Sequence, residues 1–346
     1  MNVALIEFEN SHDECLYTQV AFLSKANHKV FLCCTNTLYE RVKHFDGVEQ
    51  FICRDFNQFK FFAFRKFAKE LHALNIDLVI FNTASGDKVA KFLFFSCFYK
   101  FRYAGLIHNV NKLNTSNTQK IISRKIKKYF VLNDYIDVTN DKVACSAFYP
   151  IFFPPIKIMP IEKPENEIWL CIPGQLEYKR RAYEALFSTI AQYGLPKNIR
   201  LLFLGRCMHS EGNGAEAKQT IADLGIDKQC LLFDNFVSLD VFYAYMQASD
   251  YIFPLIHPEE SETKGYGSYK VSGAFNAAFG FKKILICDEY YARYKDFEDS
   301  SIFYDPKKLY EIFEKIALTI DENLFYKNPF WNFETHQQKF LSFLNL

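Results

Sequence analysis

Short apolar runs alternate with amphipathic stretches throughout the first half of the chain. Residues 3–8 and 28–35 are typical of buried strands, and residues 13–25 between them carry apolar side chains at helical spacing. This β–α–β order predicts a parallel sheet, whose ligands bind at the carboxyl ends of its strands. Further helices are predicted at residues 58–74, 88–102 and 118–128, and further strands at residues 77–82, 103–108, 129–132 and 142–146.

A proline-rich segment divides the chain. Four prolines fall within residues 154–164, which excludes a helix or a central strand there. The sequence therefore predicts an α/β protein with two Rossmann-like, doubly wound domains that face a central cleft. The predicted boundaries are residues 1–153 for the first domain, 154–166 for the linker, 167–327 for the second domain and 328–346 for a helix that packs back on the first domain.

The same alternation begins again after the linker. Strands are predicted at residues 168–172, 200–204, 230–233, 250–256 and 283–287. Helices are predicted at residues 182–193, 215–224, 239–247 and 270–279, the last of them closed by Gly280 as a C-terminal cap.

Composition narrows the class of protein. The 346 residues are 49% hydrophobic with a formal charge of +1, so net charge does not favour a nucleic-acid partner. The 38 phenylalanines and 21 tyrosines indicate large cores and an aromatic surface toward a partner or a membrane.

The cysteines and the N-terminus bear on compartment. The ten cysteines form no C-x-x-C pair and mostly sit in apolar runs, which favours buried reduced thiols over a metal site or disulfides. The first ten residues are typical of a strand rather than a signal peptide, and no run of about 20 uncharged apolar residues occurs. We therefore expect a cytoplasmic protein without a metal, at the inner face of the cytoplasmic membrane if it contacts lipid.

The central stretch, residues 169–181, combines a strand, a glycine turn, three cations and a helix start. Gly174 lets the backbone approach a ligand, and a helix start offers free N–H groups. We expect Lys179 and Arg181 to share a side while Arg180 points away. The stretch predicts a phosphate cradle; the alternative is an ordinary turn with a solvated basic face.

Four motifs follow one another in an order that resembles the donor domain of the GT-B glycosyltransferases, in particular bacterial group 1-like enzymes of surface glycan synthesis. They are residues 174–181 (GQLEYKRR), 201–206 (LLFLGR), 233–255 and 265–280. The first domain, with its β–α–β unit and residues 107–109, resembles the acceptor domain. The resemblance implies a sugar transferred from a nucleotide-sugar donor to a glycan or lipid-linked glycan acceptor.

The resemblance also implies roles for individual residues. Diphosphate binding falls to Gly174, Lys179, Arg181, Lys270, Ser272 and Gly273. Nucleotide binding falls to Gly205, Arg206, Phe236 and Val237. Donor sugar or ribose binding falls to Gly265, Tyr266 and Gly267. By residue type alone, Glu262, with Glu259, Glu260 and Glu289 as further candidates, would bind the hydroxyls of the donor sugar or ribose; the alternative is a solvated charged loop.

The sequence departs from that family at two places. The paired glutamates of its last loop are missing, since Lys264 and Ser272 stand there, and Gln175 replaces an arginine. These departures leave open a second function, a catalytically inactive GT-B-like module that binds nucleotide sugars or glycans.

Transfer with inversion needs a base near the acceptor hydroxyl. His12, Glu14 and His108 are the predicted catalytic residues, with Asp13 beside them, because they follow strands at the carboxyl edge; a purely structural role is the alternative for each. No cofactor or metal is expected, so cations and helix starts would stabilise the leaving diphosphate.

Three basic and aromatic helices, near residues 60–69, 88–102 and 120–128, have two interpretations. They either make peripheral contact with an anionic membrane, which suits a lipid-linked acceptor, or simply cover the sheet as amphipathic helices.

Overall fold

The structure, a computed structural model, describes residues 1–136, 138–208, 212–258, 264–318 and 322–346. The chain divides into two units. Unit 1 comprises Met1–Pro154 and Asn332–Leu346, and unit 2 comprises Pro155–Trp331. Within each unit, helices alternate with the strands of one parallel sheet.

Unit 1 is built on a seven-stranded sheet in the order β3-β2-β1-β4-β5-β6-β7. Its strands are β1 (Asn2–Ile6), β2 (Lys29–Cys34), β3 (Val48–Cys53), β4 (Leu78–Phe81), β5 (Arg102–Ile107), β6 (Lys128–Leu132) and β7 (Ala144–Phe148). Its first six helices are α1 (Leu16–Lys25), α2 (Asn36–Val42), α3 (Ala63–Ala73), α4 (Asp87–Phe95), α5 (Lys112–Thr115) and α6 (Asn117–Ile122). The central strands are buried on both faces, as unbroken apolar runs in parallel sheets require.

Unit 2 repeats this arrangement with six strands in the order β10-β9-β8-β11-β12-β13. The strands are β8 (Ile168–Pro173), β9 (Ile199–Arg206), β10 (Cys230–Phe233), β11 (Tyr251–Ile252), β12 (Ile284–Asp288) and β13 (Ser301–Tyr304). The helices are α7 (Tyr183–Tyr193), α8 (Gly214–Asp223), α9 (Leu239–Ala248), α10 (Gly273–Phe281), α11 (Lys295–Glu298) and α12 (Tyr310–Ala317).

Each sheet reverses its strand order once. The chain moves outward from β1 to β3 and then returns to the other side of β1 as β4, and β8 and β11 flank the same reversal in unit 2. Connections leave the sheet toward opposite faces at such a point, which opens a crevice at the carboxyl ends of the strands. The predicted α/β fold with Rossmann-like sheets is confirmed.

Several element boundaries differ from the predictions. The helix predicted to reach residue 102 ends as α4 at Phe95, because the chain must return to start β5. The helix predicted at residues 118–128 ends at Ile122, and residues 250–256 contribute only the two-residue β11. Gly280 lies inside α10 instead of capping it. Lys282 caps that helix in the left-handed conformation, at φ 51°.

The sequence also raised the questions of disulfides, metal sites and membrane-spanning helices. All ten cysteines are free thiols. Burial raises the pKa of Cys171 to about 12, so this thiol is inert at neutral pH. In the described ranges no three or more His, Cys, Asp or Glu side chains are grouped to hold a metal ion. In those ranges, too, every helix is too short or too polar to cross a bilayer.

The last helix, α13 (Phe333–Leu344), packs on the core of unit 1. Phe340 is buried and stacks on Phe130 with ring centroids 4.5 Å apart. Gln337 Nε2 donates to Phe22 O at 2.8 Å, and Lys128 Nζ donates to Phe343 O at 2.7 Å. Aromatic packing and these hydrogen bonds place the C-terminal residues in unit 1.

We expect Phe340→Ala to lower the free energy of unfolding by about 3–5 kcal/mol, because it leaves a cavity among the rings of Phe22, Phe130 and Phe148. Urea unfolding followed by circular dichroism measures this. Phe98→Ala is the matched control, since Phe98 is 79% exposed, and should change stability by no more than about 0.5 kcal/mol. Equal losses in the two variants would contradict the packing of α13.

Candidate functional site

The carboxyl edge of the unit 1 sheet is organised around Asn82, which follows β4. Its side-chain Nδ2 donates to Glu7 Oε2 at 2.8 Å and to His12 O at 2.9 Å. Gln19 Nε2 donates to Asn82 Oδ1 at 2.8 Å. Glu7, Gln19 and Asn82 are all buried, so this network fixes the loop after β1 against the end of β4.

His12 and His108 meet at this edge. Their rings stack with centroids 3.8 Å apart and planes 19° apart. His108 Nε2 lies 2.9 Å from Asn82 O; a carbonyl only accepts, so Nε2 carries the hydrogen. His12 Nδ1 lies 3.2 Å from Glu14 Oε1. Three predicted catalytic residues, His12, Glu14 and His108, are therefore brought together.

The two imidazoles have opposite pKa shifts. Burial, followed by the positive charge of His12, lowers the pKa of His108 to about 4. Burial also opposes protonation of His12, but its hydrogen bond with Glu14 and the charges of Glu14, Glu7 and Asp13 raise the pKa of His12 overall. An imidazole of raised pKa oriented by a carboxylate is suited to accept a proton at its other nitrogen.

Glu7 is the functional candidate that the sequence analysis missed. Burial raises its pKa, although the hydrogen bonds from Thr83, Glu9 N and Asn82 act in the other direction. Its Oε2 accepts from Thr83 Oγ1 at 2.6 Å. A carboxylate interrupting the apolar run of β1 was the available signal, and the same applies to Asn82 after the run of β4.

Two glycines shape the carboxyl edge of the unit 2 sheet. Gly174 follows β8 with φ 108°, a conformation that side chains rarely adopt. A Cβ on Gly205, near the end of β9, would lie closer than 3.0 Å to the backbone of Gly174 and Gln175. Gly174 N donates to Leu204 O at 2.9 Å. The turn is therefore held tightly against β9, and glycine is required on both sides of the contact.

The three cations after this turn do not lie as expected. Arg181 is 9% exposed, and its guanidinium donates to Pro173 O and Pro254 O. Arg180 Nε lies 2.7 Å and Lys179 Nζ 4.0 Å from Glu177 Oε2. The expected grouping of Lys179 with Arg181 is wrong, because the 3-10 turn Tyr178–Arg180 places Lys179 and Arg180 at one carboxylate. A diphosphate role for Arg181 stays a prediction.

The start of α10 offers backbone groups at the same edge. Ser272 Oγ accepts from Ala274 N at 3.3 Å as the N-cap. A Cβ on Gly273 would have no described residue within 4 Å apart from its chain neighbours and the backbone of α10 itself. Lys270 Nζ lies 5.5 Å from the ring centroid of Tyr269 and 5.9 Å from that of Tyr266.

The remaining predicted residues lie at or after the ends of β9 and β10, in a 3-10 helix before α10, or outside the residues that the structure describes. Arg206 at the end of β9 donates from Nε to Met208 O at 2.9 Å. Phe236, 78% exposed, and its neighbour Val237 follow β10. Gly265, Tyr266 and Gly267 belong to the 3-10 helix Lys264–Gly267. Glu262, like Glu259 and Glu260, lies outside the described residues.

A buried pair that was not predicted from the sequence joins His257, five residues after β11, to Asp288 at the end of β12. His257 Nδ1 is 2.8 Å from Asp288 Oδ2, and both side chains are buried. Tyr304 Oη lies 3.5 Å from His257 Nε2. This pair fixes the segment that leads toward α10.

Comparison with known proteins bears on the fold. No family model and no curated protein sequence matches the chain. The chain is similar to HepE of Anabaena in complex with UDP, with a TM-score of 0.66 at 14% identity over 99% of both chains. It is also similar to the lipopolysaccharide outer core galactosyltransferase WaaB, with a TM-score of 0.62 at 11% identity over 100% of this chain and 99% of that chain.

A putative UDP-N-acetylglucosamine 2-epimerase from Listeria monocytogenes is similar as well, with a TM-score of 0.64 at 10% identity over 99% of this chain and 95% of that chain. At such identities the likeness is one of fold, and the chain has the fold of the GT-B glycosyltransferases. The fold alone does not specify the reaction, since an epimerase shares it.

We expect Gly205→Ala to lower the free energy of unfolding by about 1–3 kcal/mol, because its Cβ would meet backbone atoms that cannot move aside. Gly273→Ala is the matched control. It meets open space at the start of α10 and should be neutral or slightly stabilising. Chemical unfolding of both variants tests this, and a neutral Gly205→Ala would show that the turn is not tightly held.

The histidine pair predicts two separate titrations. In NMR spectra, His108 should stay neutral down to a pH of about 4, whereas His12 should titrate above the usual value of about 6.5. Because the folded pKa of His108 lies below the unfolded one, its contribution to stability is complete above about pH 6.5 and is lost toward about pH 4.

His108→Gln keeps a donor for Asn82 O but does not titrate. The loss of unfolding free energy between about pH 6.5 and 4 should be smaller in this variant by about 3 kcal/mol. Identical pH profiles in the two proteins would contradict a neutral, buried His108.

Proposed function

We propose that this protein is a glycosyltransferase that moves a sugar from a nucleotide-sugar donor to a glycan or lipid-linked glycan acceptor in bacterial surface polysaccharide or glycoconjugate synthesis. Similarity to WaaB and HepE over nearly the whole chain supports it. The observation that carries it is the division of chemistry between the sheets. Unit 1 holds an imidazole–carboxylate pair at its carboxyl edge, and unit 2 holds a glycine turn, cations and an open helix start.

The donor belongs to unit 2 in this proposal. The backbone of Gly174 and the open start of α10 at Gly273 supply N–H groups for a diphosphate. Lys179 and Lys270 supply positive charge as the diphosphate leaves. The exposed ring of Phe236 after β10 is suited to cover the nucleotide base. HepE, which has this fold, has been crystallised with UDP and with UDP and glucose.

Activation of the acceptor belongs to unit 1. His12 Nε2 takes the proton of the acceptor hydroxyl while the hydroxyl oxygen bonds to the anomeric carbon and the bond to the diphosphate breaks. Glu14 holds the hydrogen on Nδ1 and stabilises the imidazolium that forms. Asn82 and His108 position the His12 ring. Direct displacement of this kind inverts the anomeric configuration.

The proposed reaction proceeds without a metal or cofactor, since helix N–H groups and cations carry the diphosphate charge. We propose that it takes place in the cytoplasm, at the inner face of the cytoplasmic membrane, where a lipid-linked acceptor is presented.

The donor prediction is tested by thermal shift against UDP, GDP, CDP, dTDP and their sugars. One nucleotide series should stabilise the protein. Lys179→Ala and Gly273→Ala should weaken that binding about tenfold or more by removing a charge or blocking the backbone. The control is Lys197→Ala, an exposed lysine of unit 2 away from the site, which should bind as the wild type does. If no nucleotide stabilises the protein, the donor site is disproved.

Transfer is then followed with the nucleotide sugar that binds, by NMR of the product anomer. His12→Gln should lower kcat about 10²–10⁴-fold while leaving the dissociation constant of the nucleotide unchanged. Binding without hydrolysis or transfer would favour the inactive binding module instead. Formation of an epimer of the donor would show that the fold serves the reaction of the Listeria neighbour.

A further inference from the structure

Four exposed phenylalanines lie on neighbouring segments of unit 1, namely the residues just before α3, helix α4 and the 3-10 turn Ser96–Phe98 after it; they are hereafter called the aromatic patch. Phe61, Phe62, Phe94 and Phe98 are 48%, 71%, 61% and 79% exposed. The ring of Phe61 lies 5.6 Å from that of Phe62 and 5.9 Å from that of Phe94. All 38 phenylalanines of the chain lie in the described ranges, and only Phe236 is exposed besides these four. The patch is therefore a concentration of apolar surface, which usually marks an interaction site.

Core packing does not account for these rings. On α4, Phe92 and Phe95 already fill the inward face and are buried, whereas Phe94 points outward with Lys91 one turn before it. Phe61 and Phe62 precede α3, whose inward positions are filled by Phe64 and Phe67. Three of the exposed rings, those of Phe61, Phe62 and Phe94, rest on the buried ring of Phe95, with centroids 4.6, 6.0 and 5.2 Å from it.

Positive charge surrounds the aromatic patch. Helix α3 packs beside α4, and α4 beside α6. Residues 58–75, 87–100 and 112–128, which contain these helices, carry thirteen lysines and arginines against only Glu70 and Asp87, in a chain whose net charge is +1. Lys60, Arg65, Lys66, Lys91 and Lys100 are exposed beside the patch. None of these five forms an ion pair with a residue that the structure describes.

An apolar cluster with positive charge around it favours one of three possible partners. A second copy of the chain would place one cationic face against another in a symmetric contact, which charge repulsion opposes. Single-stranded nucleic acid prefers rings spaced along a groove so that successive bases stack, whereas Phe62 and Phe94 both contact the ring of Phe61 in one compact cluster. An anionic bilayer accepts a cluster of apolar rings below its headgroups and neutralises the lysines around them.

We propose that the aromatic patch, with its rim of lysine and arginine, docks unit 1 on an anionic lipid bilayer. The rings of Phe62 and Phe98 enter the acyl boundary, and Lys66 and Lys91 contact the lipid phosphates. The docking does not depend on the proposed glycosyl transfer, because vesicle binding is measured without donor or acceptor.

The test is co-sedimentation of the full chain with vesicles of phosphatidylcholine alone or with 30% phosphatidylglycerol, at about 0.1 M salt. The wild type should bind the anionic vesicles and largely remain in solution with the neutral ones. Phe62→Ser/Phe98→Ser should lower the partition coefficient more than tenfold by removing buried apolar area. Lys66→Glu/Lys91→Glu should lower it at least fivefold per residue.

Matched controls come from unit 2. Leu318→Ser/Leu324→Ser removes side chains that are 70% and 61% exposed, and Lys197→Glu/Lys315→Glu reverses two exposed lysines; both should bind as the wild type does. Circular dichroism confirms that each variant is folded. Equal binding to both vesicle types, or undiminished binding by the patch variants, overturns the proposal. A single-stranded RNA that displaces the protein from vesicles and loses affinity in the patch variants would assign the surface to nucleic acid instead.

Discussion

Each sheet depends on a polar side chain that spans its two central strands at the point where strand order reverses. There the connections leave toward opposite faces and open a crevice at the carboxyl ends of the strands, where buried polar groups need partners from the loops. In unit 1, Asn82 after β4 donates to Glu7 after β1. In unit 2, Arg181 donates to Pro173 O at the end of β8 and to Pro254 O shortly after β11. Buried polar groups are costly unless paired, so these bonds decide where the loops of both edges run.

The hydrogen bonds of Asn82 also position the two histidines of the candidate site. Asn82 satisfies Glu7 and also holds His12 O, and its own carbonyl takes the hydrogen of His108 Nε2. One residue therefore fixes the protonated nitrogen of one imidazole and the backbone of the other. In unit 2, by contrast, the guanidinium of Arg181 is used inside the fold, so the proposed binding of a diphosphate relies on Lys179 and Lys270 for positive charge.

Patterning predicted the central strands of both sheets and missed the outer strands β3 and β13. The central strands were recognised because Val3–Ile6 and Leu78–Phe81 are unbroken apolar runs. The edge strand β3 was missed because Glu49 and Gln50 are exposed and interrupt the apolar pattern. Gly280 was taken as a cap on propensity alone, yet Lys282 adopts the left-handed conformation one residue after α10. Tertiary packing determines where a helix such as α10 ends, and the neighbouring sequence does not reveal that packing.

The candidate site was predictable in position but not in protonation. His12 and His108 follow β1 and β5, so the topology alone brings them to one edge. Their stacking, their opposite pKa shifts and the role of Glu7 depend on which groups are buried together. The separation of these residues along the sequence does not show which of them are buried together.

The connection between β4 and α4 links the candidate site to the aromatic patch. Residues 82–86 begin at Asn82 and lead directly into the helix that carries Phe94. If the aromatic patch binds a bilayer, the helix that meets the lipid is joined by the four residues 83–86 to Asn82, whose side chain holds the backbone of His12. The lipid-linked acceptor of the proposed function would be presented at that same bilayer surface, so the unit proposed to dock is also the unit that carries the proposed base. In that case the many phenylalanines of the chain serve two purposes: they fill a large core, and they form an exposed apolar surface that binds lipid.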